Sequence, residues 1–378
     1  MISTVREATG SLLVVGLAEA ELSGLERAWL RLVHPGGVIL FRRNIVDARQ
    51  TRQLLDEATA LCAPHSVRSV DVEGGTVNRL RDTLGAIPSA QAVAAADRRS
   101  GKTKLAREHG ELIAQAIKSL GFNTTLAPVV DLALPESATV MGSRTAGATA
   151  AEVIDYAQAF LSGLAAQNVA GCGKHFPGLG GGLTDSHFET PQITRNWQEL
   201  WDQDLVPYRA LNGSMPIVMI NHAAYPRTPG REKPASASDF WMTKVLRKRV
   251  GYRGIILSDD LEMGGILKFM PVEKAAVAAV RAGTDMMLIC HSPELILRTY
   301  EALIAEGERS AAFGKLLLAR AREVARKRAR LYANDAARQL TAKQFEALRA
   351  RIDRFRLAIE GNGSDAIDPR SAAPAETS

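Results

Sequence analysis

GIILSDDLEMGGI, residues 254–266, decides how the rest of the chain is read. Its first half is a near-continuous apolar run, the mark of a strand covered on both faces. Two adjacent carboxylates, Asp259 and Asp260, end the run, and two glycines follow. Neighbouring side chains on a strand point to opposite faces, so one aspartate can face a cleft while the other caps the next helix. Taken alone, the pair reads either as two helix-capping acids or as a nucleophile or metal ligand.

The same signature recurs along the chain. SLLVVGL (11–17), GGVILF (36–41), VRSVDVE (67–73), TTLAPVVDL (124–132), VAGCGKHF (169–176), PIVMINHA (216–223) and DMMLICH (285–291) bring the set to eight. Between them, segments such as DARQTRQLLDEATALC and TAAEVIDYAQAFLSGLAAQ space their apolar residues by three and four, as amphipathic helices do. Eight strand–helix units predict an α/β fold, a (β/α)8 TIM barrel in preference to an open doubly wound sheet. Polar residues sit at the C-terminal ends of the runs: Asp71 and Glu73, Asp131, Lys174 and His175, Asn221 and His222, Asp259 and Asp260, and His291. In a barrel these ends converge on one mouth, where active sites lie. The expected plan is a single barrel domain over 1–335, a C-terminal helix within 336–361 packed on or beside it, and a disordered tail over 362–378, poor in apolar residues.

Composition narrows the function classes. With 46% hydrophobic and 23% charged residues, the 378-residue chain reads as an ordinary soluble globular protein. The net charge of +6 is spread along the chain, and its densest basic run, KLLLARAREVARKRARLYA (315–333), has helical spacing. That run reads as the solvated face of an amphipathic helix, which argues against a nucleic-acid partner. The three cysteines, Cys62, Cys172 and Cys290, lie far apart with no CxxC, excluding a disulfide framework and a zinc ribbon. The apolar run Leu12–Leu17 is too short for a secretory signal or a membrane span, and together with reduced thiols it points to the cytoplasm. Oligomeric state stays open.

Two further constellations carry chemistry. DVEGGTVNRL (71–80) sets two carboxylates, a Gly-Gly and Arg79 together. It reads either as a tight turn in which Glu73 caps a helix, or as a buried carboxylate and a guanidinium gripping a polyhydroxylated ligand. KHFPGLGGGLTDSHFETP (174–191) lacks the GxxxxGK[ST] of a phosphate loop. Lys174 and His175 end the fifth strand, whereas Asp185 and His187, two residues apart, suit a carboxylate that orients an imidazole. A zinc site from His175, Asp185 and His187 has no HExxH to support it, so no metal is expected. The intervening glycines read as a hinge that lets Asp185 and His187 swing over a substrate. His34, His65 and His109 read as structural; Asn221, His222 and His291 stand evenly between site and core.

GGVILFRRNI (36–45), DVEGGTVNRL, GFNTTLAPVVDL (121–132), KHFPGLGGGLTDSHFETP, PASASDFWMTKVLRKRVGYRGIILSDDLEMGGI (234–266) and AGTDMMLICH (282–291) follow one another in order. In these motifs the chain resembles the β-N-acetylglucosaminidases of glycoside hydrolase family 3, of the single-domain bacterial type. The resemblance implies a retaining exo-acting β-N-acetylhexosaminidase of peptidoglycan recycling, which releases GlcNAc from muropeptides of the GlcNAc-1,6-anhydro-MurNAc type and needs no cofactor. It implies Asp259 as nucleophile, His187 as acid/base, Asp185 as the dyad partner of His187, and Asp71, Arg79, Arg144, Lys174 and His175 as substrate contacts. The sequence departs from the family pattern at Thr76, where an arginine is usual, at Leu179, where a histidine is usual, and over 145–147. The alternatives are a glycosidase or phosphorylase of other specificity on the same fold, and a catalytically silent sugar-binding protein.

Overall fold

Each of the eight apolar runs supplies one parallel strand of a closed ring. The strands are β1 (Leu13–Gly16), β2 (Gly37–Leu40), β3 (Val67–Val70), β4 (Thr124–Thr125), β5 (Ala170–Phe176), β6 (Ile217–Ile220), β7 (Ile255–Asp260) and β8 (Met286–Ile289). This computed structural model describes residues 2–101, 103–182, 190–335 and 339–361. Sequence neighbours pair around the ring, and Val14 of β1 opposite Leu288 of β8 closes it. Strands β1, β2, β6 and β8 are buried at every position, which is why they read as unbroken apolar runs.

Helices cover the ring, among them Gly24–Val33, Lys104–Ser119, Ala150–Ala166, Val272–Ala282 and Pro293–Arg309. Their starts are set locally. Ser23 with Glu26, and Thr149 with Glu152, form reciprocal capping boxes that satisfy the free N–H groups of the first turn. Trp29, Leu30 and Val33 then form the stripe that the first of these helices buries.

Two runs depart from simple strands. TTLAPVVDL reads as one strand through Leu132, yet the regular ladder stops at Thr125. Pro128 has no N–H to give to a ladder. Pairing resumes as a bridge between Val129 and Lys174, which brings Asp131 beside the end of β5. After β3 the chain turns into an antiparallel hairpin, Val72–Gly74 with Val77–Asn78. Its turn needs glycine: Gly74 and Gly75 have φ of 92° and 61°, and a Cβ on Gly74 would fall 2.0 Å from the Pro88 carbonyl oxygen.

The basic run at 315–333 is not simply a solvated face. In the helix Ala311–Leu331, Arg320 and Lys327 turn inward to the buried carboxylate of Asp285, which also holds Arg247. Arg328 is buried and donates to the Gly36 carbonyl. Helical spacing identified the stripe but not what the stripe meets. Asp285 lies just before β8, at the ring end opposite the C-terminal ends of the strands, so this hub ties the helix Ala311–Leu331 to that end of the ring. The helix Ala342–Glu360 packs against Ala90–Ser100 and Lys104–Ser119, with Phe355 stacked on the buried His109 at 6.0 Å between ring centres. His109 meets the Tyr156 hydroxyl at 3.0 Å and is a core residue, as its place in a helix predicts. Residues 362–378, read above as a disordered tail, lie outside the described residues. Among the described residues, no helix is long and apolar enough to cross a membrane.

Candidate active site

The strand ends converge as expected, and their charges meet in pairs. Lys174, at the end of β5, lies 2.8 Å from Asp71 Oδ1 and 2.6 Å from Glu73 Oε1. Arg144 grips Glu73 with both arms, Nε to Oε2 at 2.9 Å and Nη2 to Oε1 at 2.8 Å. This is the forked geometry that guanidinium and carboxylate share. The four groups form one set with two positive and two negative charges, Lys174 and Glu73 buried and Asp71 and Arg144 half-buried at its edge.

Electrostatics keep all four ionised. Burial pushes the Asp71 carboxyl up, but Lys174 and Arg79 outweigh it and leave it below the ordinary range. Burial likewise opposes ionisation of Glu73, yet Arg144 and Lys174 hold it well below the usual carboxylate value. Lys174 itself would lose its proton more easily when buried; Asp71 and Glu73 reverse this and raise it. The helix-capping reading of Glu73 is therefore corrected. Its carboxylate is committed to the two cations because the hairpin turns it inward.

His175 is oriented from both sides. Its Nδ1 lies 2.7 Å from Asp131 Oδ2, and its Nε2 faces Arg144 Nη2 at 3.4 Å. A guanidinium only donates, so Nε2 accepts and Nδ1 carries the proton toward Asp131. Asp131 also takes the backbone N–H groups of His175 and Leu179, at 3.1 and 2.8 Å. Leu179, where the family pattern has histidine, thus bonds through its backbone while its side chain joins the core. Arg79 donates its backbone N–H to the Asp71 carbonyl, and its guanidinium lies 5.8 Å from the centre of the Phe41 ring. Thr76 is exposed at the hairpin tip.

On the far side of the mouth, Asp259 is half-buried and its Oδ1 accepts the backbone N–H of Asp260 at 2.9 Å. Asp260 is buried, and burial together with the charge of Glu262 pushes its carboxyl well above the ordinary range. Asp260 does not cap a helix; its Oδ1 takes the N–H of Glu262 in a tight turn. The capping acid is Glu262, whose carboxylate receives the backbone N–H groups of Cys290, His291 and Ser292 at the start of the helix Pro293–Arg309. Asp260, Glu262 and His291 bring three ligand-type atoms within 4.8 Å of one another. Glu262 holds three N–H groups, while His291 turns Nδ1 to Arg43 Nη1 at 3.2 Å and Nε2 toward Asp260 Oδ2 at 3.6 Å.

Asp185 and His187 lie outside the described residues, but the root of their segment is described. Residues 178–182 are buried, and Tyr225 donates to the Gly178 carbonyl at 2.8 Å. A Cβ on Gly180 would stand 2.6 Å from the Leu132 carbonyl oxygen, and one on Gly181 2.8 Å from Arg195 Cδ. Over this stretch the glycines are closely packed, and Gly178 also has a φ of 133°, while the swing expected of Asp185 and His187 falls on residues outside the described ones. Asp204 sits under it, bonded to Arg195 at 2.9 Å; burial pushes its carboxyl up to about 6 despite that arginine.

The structure thus brings Asp71, Arg144, Lys174 and His175 into one connected set, with Arg79 beside Asp71 and Asp259 across the mouth. Glu73 and Asp131 complete that set although neither stood among the candidate contacts. Their signal was present, since both follow apolar runs at the C-terminal ends of strands.

The glycosyl hydrolase family 3 N-terminal domain model matches residues 4–323. A beta-hexosaminidase of Idiomarina loihiensis is 34% identical over 279 residues, covering 74% of this chain and 83% of the relative. The structure of a glycoside hydrolase family 3 beta-N-acetylglucosaminidase from Paenibacillus sp. matches with a TM-score of 0.84 at 29% identity, over 94% of this chain and 69% of that one. NagZ from Neisseria gonorrhoeae, solved in complex with N-trifluoroacetyl-D-glucosamine, matches with a TM-score of 0.74 at 28% identity, over 91% of this chain and 97% of that one. A closed barrel, charged strand ends and these likenesses agree, and the chain belongs to glycosyl hydrolase family 3, as a glycoside hydrolase of its β-hexosaminidase group.

Proposed function

We propose that the protein is a retaining exo-β-N-acetylglucosaminidase that removes terminal GlcNAc from muropeptides of the GlcNAc-1,6-anhydro-MurNAc type. The observation that carries the reading is the pre-organised set Asp71–Lys174–Glu73–Arg144–His175–Asp131, gathered at the same end of the ring as Asp259. Fixed donors and acceptors of this kind orient sugar hydroxyls without reorganising when the substrate arrives. The captured N-acylated glucosamine in Neisseria gonorrhoeae NagZ supports the acetamido sugar.

In this mechanism the Asp259 carboxylate attacks the anomeric carbon. The glycosidic C–O bond breaks, and the departing oxygen takes a proton from His187, which Asp185 orients. A covalent glycosyl-enzyme remains. Water then attacks the same carbon, gives its proton to His187 and frees Asp259, so configuration is retained after two inversions. An imidazole replaces the second carboxylate that most retaining glycosidases use. The sugar contacts are Asp71, Arg79, Arg144, Lys174 and His175. The cytoplasm is the proposed location.

The test is incubation of the purified enzyme with anhydro-muropeptides, with mass analysis of the products and with phosphate present or absent. Release of GlcNAc without phosphate is expected; release of GlcNAc-1-phosphate, or binding without turnover, refutes the hydrolase. Asp259→Asn is expected to abolish turnover. His187→Ala is expected to lose far more activity on substrates with poor leaving groups than on activated aryl glycosides, and equal losses would remove His187 from the acid role.

A further inference from the structure

Strand β6 stands between β5 and β7 in the ring, and its end carries two polar residues that the mechanism does not use. Asn221 and His222 are both wholly buried. They reach in opposite directions, as successive residues on extended chain do. Asn221 Nδ2 donates to the His175 carbonyl at 3.0 Å, and its backbone N–H donates to the Phe176 carbonyl. His222 Nε2 lies 2.9 Å from the Asp260 carbonyl, while its Nδ1 lies 2.7 Å from Ser236 Oγ.

The tautomer of His222 follows from its partners. A carbonyl only accepts, so Nε2 carries the proton; Nδ1 then accepts from the Ser236 hydroxyl. Burial lowers the pKa of His222 and keeps it neutral, which suits one donor and one acceptor. The Ser236 backbone N–H is in turn anchored on the Asn221 carbonyl. On the other side of Asp260, its amide N–H holds Asp259 Oδ1. His222 therefore grips the carbonyl of the residue whose amide holds the carboxylate of Asp259.

We propose that His222, locked in one tautomer by Ser236, is a positioning residue that sets the carboxylate of Asp259 against the sugar-binding end of β5, which Asn221 holds from the same strand. This rests on Asp259 as the nucleophile. The reason such a brace matters is distance. Attack needs the carboxylate oxygen at near-contact with the anomeric carbon, while Lys174 and His175 fix the sugar from a different strand. A displacement of roughly 1 Å between the two costs on the order of a hundredfold in rate.

The experiment compares His222→Leu, His222→Gln and Ser236→Ala on an aryl β-GlcNAc substrate, with folding followed by circular dichroism. His222→Leu is expected to lose about 100-fold in kcat with KM within about twofold, because the sugar contacts are intact. His222→Gln, whose amide can still donate to the Asp260 carbonyl, is expected to recover about tenfold of that loss. Ser236→Ala is expected to lose about tenfold, since the imidazole is then free to turn. The pH–rate profile should fall in height without changing shape, because neither partner of His222, the Asp260 carbonyl and the Ser236 hydroxyl, is charged. A folded His222→Leu with kcat within about twofold of the parent, or a loss confined to KM, overturns the proposal. If His222→Leu does not fold, a wild-type kcat in Ser236→Ala overturns it instead. Asp259→Asn run beside them separates the two levels: activity in that variant refutes the nucleophile itself, whereas an inactive Asp259→Asn beside normal His222 and Ser236 variants refutes only the brace.

Discussion

Replacing Glu73 by glutamine probes the charged set at its centre. Glu73 is 3% exposed and supplies three short contacts: two to Arg144, at 2.9 and 2.8 Å, and one to Lys174 at 2.6 Å. The amide keeps the shape and removes the charge. Two buried cations are then left with Asp71 alone, and removing one partner of a buried ion pair costs about 3–5 kcal/mol. With an unfolding entropy of about 2.1 cal/mol/K per residue, a domain of this size shifts by roughly 1.3 °C per kcal/mol, so the melting temperature should fall by about 5 °C. Activity should change in a specific way. Lys174 is raised because Asp71 and Glu73 outweigh its burial. With one carboxylate gone it releases its proton at lower pH, so kcat/KM should show an added fall at strongly alkaline pH, beyond the limb that the proposed acid His187 sets. KM should rise by about tenfold as Arg144 loses its fixed orientation. Thermal denaturation and a pH–rate series on an aryl β-GlcNAc substrate read both effects. The double variant Glu73→Gln/Arg144→Gln restores neutrality and should recover part of the stability, with a coupling of about 2 kcal/mol. A Glu73→Gln protein with an unchanged melting temperature and no added fall of kcat/KM at strongly alkaline pH would refute the reasoning.

Two other outcomes follow from buried charge. Asp285→Asn strands Arg247, Arg320 and Lys327 at the end of the ring opposite the mouth, and should cost about 3–5 kcal/mol while leaving kcat and KM of the folded enzyme unchanged; chemical denaturation and steady-state kinetics check this. Burial raises Asp204 to about 6 in the folded protein, so the fold binds this proton more tightly than the unfolded chain. Its contribution to stability is therefore present below about pH 4 and lost as pH rises through about 6, by about 3 kcal/mol, a slope that Asp204→Asn should abolish in denaturation midpoints measured from pH 4 to 7.

Much of the fold was legible because parallel strands buried on both faces leave an unmistakable hydropathy trace. GIILSDD, SLLVVGL and their counterparts each became one strand, and the polar residues ending six of the eight runs marked the mouth. The misreadings share one cause. Glu73, left between a cap and a buried carboxylate, and Arg320 and Lys327, read as solvated, were judged from local spacing alone. Each is committed to a partner far along the chain: Glu73 to Arg144 and Lys174, Arg320 and Lys327 to Asp285. The glycines of 178–182 show the same limit, since their backbone freedom is visible in sequence while the carbonyl of Leu132 and the side chain of Arg195 that pack against them are not.

The sequence by itself determined the ring of strands, the end at which chemistry gathers, and the family to which the motifs point. These are consequences of periodicity and of residue type, which are local. Tertiary structure alone decided which charges are shared, which histidine tautomer is locked, and which aspartate, Asp259 or Asp260, stands half-open at the mouth and which is buried. A buried charge is tolerated only beside a partner, and closure of the ring is what brings partners from separate strands into contact.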